Sequence, residues 1–390
     1  MPKDPSPAVS WPQVLALRLE RHYLIERAPA DRLVDVVREL VGVHAQVMSS
    51  AELQIAARVD GARVDDVREA LWERRQLVKA WSMRGTLHLL APEHLVSFVD
   101  AAATRERWTE AVWLRFVELS EAQMEAIIDA VAATLSDEPM TRADLADAVA
   151  ARVDHPGMAD KLRSGWGTFL GAPAQRGFLV FGPSDGRNVT FVRPSAWLDR
   201  PVARSERPDL PDPIDALAGL VQQFLRSFPG SSRDMTGRWW GALRAGLIKQ
   251  ALERLGDKIA QIEADGAKAW TLTPDIAALT AAVPFEGVRL LPGFDPFVNA
   301  LPRRVDSVLP VANHERIYRT AGWVTPVVLV DGRVAGTWEI AAGKSDVTVQ
   351  PWARWRGGVR SEIERELDRF AAFLDRPLKP VWQKAIVAAG

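Results

Sequence analysis

The stretch LVGVHAQVMSSAELQIAAR, Leu40 to Arg58, decides how this chain is read. Upstream, Leu33, Val36, Val37, Leu40 and Val41 recur at i, i+3, i+4, i+7 and i+8, the apolar stripe of a helix that should fray near Gly42. Downstream, Ser49 and Glu52 have the S-x-x-E spacing of a capping box, with Met48 and Leu53 as the accompanying hydrophobic staple, which predicts a helix from about Ser50. His44-Ala45-Gln46 therefore lies at the junction of two helices. Residues two apart on a helix point about 200° from one another, whereas in an extended or kinked segment they face the same way. The junction lets His44 and Gln46 converge on a small target such as a water. The same two residues also fit a plainer arrangement, with Gln46 capping a helix end and His44 satisfied in the core.

Outward from this junction the pattern is largely helical. Residues 1 to 10 read as a loose Pro- and Ser-rich arm, Trp11 to about Arg27 as a helix, and Val64 to Arg75 as another. Leu77–Trp81 and Thr86–Leu90 are β-like runs around Arg84-Gly85, which suits a hairpin. Glu121–Leu135 is a helix. Met140, Thr141, Asp144 and Leu145 repeat the staple-and-cap arrangement, and Lys161–Gln175 reads as one helix closed by Gly177. Two strands, Phe178–Phe181 and Val189–Val192, follow around a turn that carries Arg187. A Pro- and charge-rich linker, Arg200–Pro213, precedes further helices and a third hairpin around Asp265-Gly266, with Lys268 near its tip.

From about Pro274 the strands Val288–Leu291, Val327–Val330 and Val334–Ile340 dominate, the last two joined by Asp331-Gly332, and Glu362–Leu374 is a closing helix. Helices followed by a small hairpin make the order of a winged helix. The fold class expected is mainly α with small β hairpins: three winged-helix units over residues 10–118, 119–200 and 212–273, then a small α+β domain over 274–390. A length of 390 residues agrees with several cores rather than one.

Composition narrows the chemistry. The formal net charge of −1 excludes a generally basic nucleic-acid binder, so any DNA contact must use local positive charge, supplied mainly by arginine. With no cysteine, disulfides, thiolate catalysis and Cys-ligated metal centres are excluded. The six histidines are scattered without ligand spacing, so neither a metal nor a cofactor is expected. The fifteen tryptophans supply core and, on a groove, stacking platforms. No window approaches eighteen apolar residues and the N-terminus lacks a signal-peptide core, so a cytoplasmic monomer with no membrane partner is expected.

The stretch around His44-Ala45-Gln46 resembles the Gln-x-Gln signature of the AlkZ and YcaQ bacterial DNA glycosylases, which are built from tandem winged helices. WSMRGTLHLL (Trp81–Leu90) is similar to the segment that follows in that family. LLPGFDPFVNALPRR (Leu290–Arg304) and GWVTPVVLVDGRVAGTW (Gly322–Trp338) resemble its C-terminal signatures. Four islands in the family's order span most of the chain. One departs from the pattern: the first Gln of the signature is His44 here.

The resemblance implies hydrolysis of the N-glycosidic bond of an alkylated purine in double-stranded DNA. A purine alkylated at N7 already carries positive charge, so the protein needs less acid catalysis than a two-carboxylate glycosidase. Gln46 maps onto the second Gln and would orient a water through its amide oxygen. His44 maps onto the first, and its neutral imidazole would accept the water's proton, so activity should fall below roughly pH 6. Arg84, Arg187, Lys268, Arg303 and Arg304 are the DNA-contact candidates. The four arginines have plainer alternatives, a buried carboxylate pair for Arg84 and solvated loops for Arg187, Arg303 and Arg304. Asp295 is read as a cap on the turn before Pro296. Sparse lysine disfavours a Schiff-base lyase, and the competing class is a non-catalytic winged-helix regulator.

Overall fold

The computed structural model describes residues 6–386 apart from 154, 165–167, 242–244, 304 and 342–343. The chain forms two compact units. One combines the residues up to Val67 with those from Val221 onward, and the other is Arg68–Leu220.

In the first unit, residues 1–5 of the expected loose arm lie outside the described residues, and its end at Ala8–Val9 is paired rather than loose. Ala8–Val9 lies parallel to Glu263–Ala264, and Ser10 and Gln13 close a capping box on the helix Trp11–Arg21. That helix ends six residues before the expected Arg27, with Leu24 N–H turning back to the Leu19 carbonyl. Near its other end in sequence space the unit carries helices Arg233–Trp240, capped by the Ser232 hydroxyl on Met235 N–H, and Ala245–Leu255. The hairpin Ile259–Ala264 with Ala267–Leu272 follows. Its two turn residues, Asp265 and Gly266, both take positive φ, the type I′ geometry that matches strand twist.

The C-terminal part of this unit is a five-stranded sheet in the order Val288–Leu291, Val327–Val330, Arg333–Ile340, Asp346–Pro351, Lys379–Trp382, antiparallel except for the last pair. Asp331 and Gly332 again both take positive φ at the hairpin turn. Val359–Leu374 covers the sheet, stacking Phe370 on Trp338 at 5.5 Å. The strand content is thus gathered into broader sheets than the small hairpins expected from the sequence, and the fold is mixed α and β.

In the second unit, Glu121–Thr134 opens with a Ser120–Gln123 capping box, and Thr141 caps Arg142–Ala150 through Asp144 N–H as the spacing required. The single helix expected over Lys161–Gln175 is instead two, Met158–Ser164 and Gly171–Gln175. Glycines at 165, 167 and 171 lower helix propensity there. Gly177, with φ +85, terminates the second. A Cβ on it would lie 2.9 Å from the Ala203 backbone, so close packing as well as conformation requires glycine. The strands run Leu87–Leu90, Val78–Trp81, Val180–Asp185, Asn188–Val192, Met140–Thr141, with each adjacent pair antiparallel. The expected linker is not free either. Arg204 and Arg207 both bind the buried Asp100 carboxylate, at 2.9 and 2.6 Å, and Glu206 accepts from Arg193 at 2.8 Å.

Candidate active site

His44 and Gln46 sit where the sequence placed them, in the first unit between the helices Leu33–Glu39 and Met48–Ala56. The first helix closes by a left-handed turn. Gly42 N–H reaches back to the Val37 carbonyl at 2.9 Å and Val41 N–H to that of Arg38 at 3.0 Å. Val41 takes φ 56 and Gly42 φ 99. A left-handed valine is a strained backbone, sustained only when its surroundings over-determine it. Val43–His44 then runs extended, His44 is buried, and Gln46 is exposed at the bend before the next helix.

That next helix starts earlier than its capping box suggested. It begins at Met48, its N-cap is Val47, and no side chain caps it. Ser49 is exposed and Glu52 is buried. The hydroxyl of Ser50 goes instead to the Gly293 carbonyl, and Gln54 Nε2 donates to both the Gly293 carbonyl and the His44 carbonyl, each at 3.1 Å. Contacts made across the fold have therefore displaced the local cap.

The partner segment is Gly293-Phe294-Asp295-Pro296. Phe294 takes φ 58, a second strained non-glycine, and its ring lies flat against the His44 imidazole, with centroids 4.5 Å apart and planes 8° off parallel. Its other neighbour is Trp323, edge-on at 5.0 Å. Gly293 is required by space, since a Cβ there would stand 3.1 Å from the Val324 carbonyl oxygen. Asp295 caps the following turn as expected, accepting from Phe297 N–H at 2.9 Å. It does more than that: both carboxylate oxygens accept from Arg58, each at 2.8 Å, and neither side chain has any exposure. Arg58 also donates to the Gln54 carbonyl.

Behind this pair lies His22. Burial, with Arg58 and Arg18 nearby, holds its pKa well below the ordinary histidine value of 6.5. Arg58 Nη2 is 3.4 Å from His22 Nδ1, and since a guanidinium only donates, Nδ1 is the accepting nitrogen of a neutral ring. Arg18 is buried with only oxygens of Pro229, Gly230, Ser231 and Ala300 as acceptors. Burial lowers its pKa to about 9, which still leaves it charged at neutral pH.

Beside Phe294 opens a cavity of about 480 Å³, walled mainly by apolar groups that include Leu53, Trp323 and Trp338, with Arg319 and Glu339 on its lining. This volume falls in the range of pockets that enclose drug-sized ligands, about 300–1,000 Å³.

The remaining site candidates are dispersed. Arg84, in the second unit, is half-buried on a left-handed turn with φ 62, followed by Gly85 with φ 68. It has no carboxylate partner among the described residues, contrary to the buried-pair alternative, and burial lowers its pKa to about 10. His88, on the strand that follows, is buried with Nδ1 at 2.9 Å from the Ser82 hydroxyl. Arg187 is exposed at the turn between Asp185 and Asn188. Lys268 is exposed opposite Glu263 in the hairpin register. Arg303 stacks on the Tyr318 ring at 4.2 Å, while Arg304 lies outside the described residues. Among the described residues no cluster of three or more His, Asp or Glu could hold a metal, and no helix is long and apolar enough to cross a membrane.

A family model for AlkZ-like DNA glycosylases matches residues 37–373, a span that contains all four sequence islands. The chain belongs to the AlkZ-like DNA glycosylase family. It is similar to an interstrand DNA cross-link repair glycosylase of Streptomyces sahachiroi, at 32% identity over 344 residues, covering 88% of this chain and 91% of that protein. It is also similar to the solved structure of the Streptomyces sahachiroi DNA glycosylase AlkZ, with a TM-score of 0.85 at 30% identity, covering 96% of this chain and 100% of the other. As an AlkZ-like protein it is a DNA glycosylase of DNA repair, with DNA as its substrate. The sequence singles out His44, Gln46 and Asp295. Gln54 and Arg58 went unread there, because their partners Gly293 and Asp295 lie 239 and 237 residues away in the chain.

Proposed function

We propose that this AlkZ-like glycosylase hydrolyses the N-glycosidic bond of N7- or N3-alkylated purines in duplex DNA, including purines that carry bulky adducts, through His44 and Gln46. The observation that carries the reading is the His44 ring, clamped on one face by Phe294 with its backbone tied by Gln54, two residues from an exposed Gln46. A cationic purine leaves readily, so the protein's task reduces to placing a water beneath the anomeric carbon and stabilising an oxocarbenium-like sugar. The Gln46 amide oxygen orients that water, and the neutral His44 imidazole takes its proton as the C–O bond forms and the C–N bond breaks. The base departs neutral with the bond's electron pair, and an abasic sugar remains. In this reading the helix-and-hairpin groups are three winged helices that bind the duplex, with Arg84, Arg187, Lys268 and Arg303 as phosphate contacts and Arg304 grouped with them by sequence.

The cavity beside Phe294 supports tolerance of large adducts, because a lesion's appended group can leave the groove without displacing His44. Repair of interstrand cross-links, named for the Streptomyces sahachiroi relative, and self-resistance to a genotoxin are the roles such tolerance would serve. Duplexes bearing a single N7-methylguanine, a bulky N7-guanine adduct or an N7–N7 cross-link test the range, with free base quantified after incubation. Release from the first two is expected. Release from neither would rule out the proposed substrate class.

A further inference from the structure

Many arginines of this chain are answered by carboxylates, as Arg176 is by Glu106 and Glu125 and Arg27 by Glu366. A cleft of about 520 Å³ in the first unit is built differently. It opens where the helix Val359–Leu374 begins beside the last strand, Lys379–Trp382. Its lining holds four cations, Arg354, Arg356, Arg360 and Lys384, and no carboxylate. Arg356 is spent on Asp331 and Glu362, at 2.9 and 2.7 Å. Arg354, Arg360 and Lys384 are exposed and have no carboxylate partner among the described residues.

These three cations are mounted on fixed backbone. The Arg360 guanidinium lies over the Trp382 ring at 5.0 Å. The Lys384 carbonyl accepts from Gln350 Nε2 at 2.6 Å, and Gln383 N–H donates to the Val349 carbonyl at 3.0 Å. Beside Arg354, the Trp355 indole donates to the Ala335 carbonyl at 3.2 Å. Like charges held around one cleft repel one another, a cost that a bound polyanion removes. In a chain of net charge −1 such a cluster is local rather than part of a generally basic surface. A single free phosphate would answer one or two of the three, whereas a row of phosphates can answer all of them.

The polyanion this family acts on is DNA. We propose that the cleft is a contact for the DNA backbone, additional to the phosphate contacts assigned above, in which Arg354, Arg360 and Lys384 each meet phosphate oxygens. Its place on the fold suits that role. Leu374, on the last turn of the same helix, lines the cavity beside Phe294, and Arg360 stands on the first turn. The helix rise puts the two about 20 Å apart, or about six base pairs along a duplex. That separation from the lesion rests on the assignment of His44 and Gln46, but the contact itself rests only on DNA being the substrate.

The test is equilibrium binding of the full chain to a lesion-free duplex of about 24 base pairs, followed from about 50 to 200 mM salt. Replacing Arg354, Arg360 and Lys384 together by Gln should lower the slope of log K against log salt by about 2–3 and weaken binding at least tenfold near 100 mM salt. Arg360→Gln alone should lower the slope by about 1. Arg365→Gln removes the same charge from an exposed position about 140° away around the same helix and should leave the slope unchanged. The single variants each alter one exposed side chain, so they decide the matter even where the triple variant loses stability. An unchanged slope in Arg360→Gln would overturn the proposal. So would equal losses in Arg360→Gln and Arg365→Gln, which would assign the effect to overall charge. Base release by His44 and Gln46 is not read in this experiment, so failure of either assignment leaves the other standing.

Discussion

Arg58 and Arg187 mark two kinds of region in this molecule. Arg58 has no exposure and is locked to Asp295 by two bonds of 2.8 Å, in a network that also grips Gln54, Gly293 and the backbone of His44. Arg187 is exposed at a hairpin turn and has no partner among the described residues. The first arrangement ties side chains and backbone into one buried network. The second leaves a charge free to follow whatever phosphate comes near it. A DNA glycosylase needs both, because the water at the anomeric carbon tolerates little displacement whereas the duplex backbone is met by mobile, screened charges. Beside His44 the backbone is itself left-handed at Val41, which precedes it, and at Phe294, which stacks on it.

The sharpest way to break this contrast is to cut the buried pair. Asp295→Ala leaves the Arg58 cation buried without its carboxylate and should lower stability by about 3–5 kcal/mol, read as a drop in the urea midpoint. A loss near that of an exposed pair, below about 1 kcal/mol, would mean that water reaches the site.

The buried region should also carry a pH signature that the exposed one lacks. His22 is neutral in the folded protein and has a folded pKa depressed below its unfolded value of about 6.5. As pH falls through that value the unfolded chain takes up a proton that the folded chain refuses. Stability is therefore complete above about pH 6.5 and declines below it, by up to about 1.4 kcal/mol per pH unit. His22→Leu should flatten that slope in denaturant titrations at pH 5 to 7. An unchanged slope would show that His22 protonates without opening the core.

At the exposed turns the expected effects are smaller and belong to DNA rather than stability. Arg187→Ala should weaken duplex binding a few-fold and reduce the slope of log K against log salt by about 1, with melting temperature unchanged. Lys268→Ala should do less, because Glu263 faces it across the hairpin. Equal salt slopes for wild type and Arg187→Ala would remove Arg187 from the DNA contacts.

What the sequence made legible follows the range of the forces involved. Caps and turns were readable because their partners lie within four residues: Thr141 on Asp144, Asp295 on Phe297, and the positive-φ pair Asp331-Gly332. The apolar stripe upstream and the helix signals downstream placed His44 and Gln46 at the junction of two helices. The clamp was not readable, since Arg58 and Asp295 are 237 residues apart and nothing local joins them. The same long-range contacts explain the misplaced helix start. Ser50 and Gln54 bond Gly293 across the fold, and the Ser49–Glu52 box does not form. The strand Asp346–Pro351 was passed over although its buried valines alternate with polar residues, the usual mark of a half-buried strand.

In the proposed mechanism His44 and Gln46 perform the hydrolysis and the Phe294–Asp295 turn only holds them. Single-turnover release of N7-methylguanine from a duplex, followed from pH 5 to 8 in wild type, Gln46→Ala, His44→Ala and Phe294→Leu, tests it directly. Gln46→Ala should abolish release. His44→Ala should lose at least a hundredfold and with it the fall in rate below roughly pH 6, where histidine ordinarily protonates. Phe294→Leu should slow release while keeping that pH dependence. Release by Gln46→Ala at the wild-type rate, or a wild-type profile flat from pH 5 to 8, would contradict the assignment.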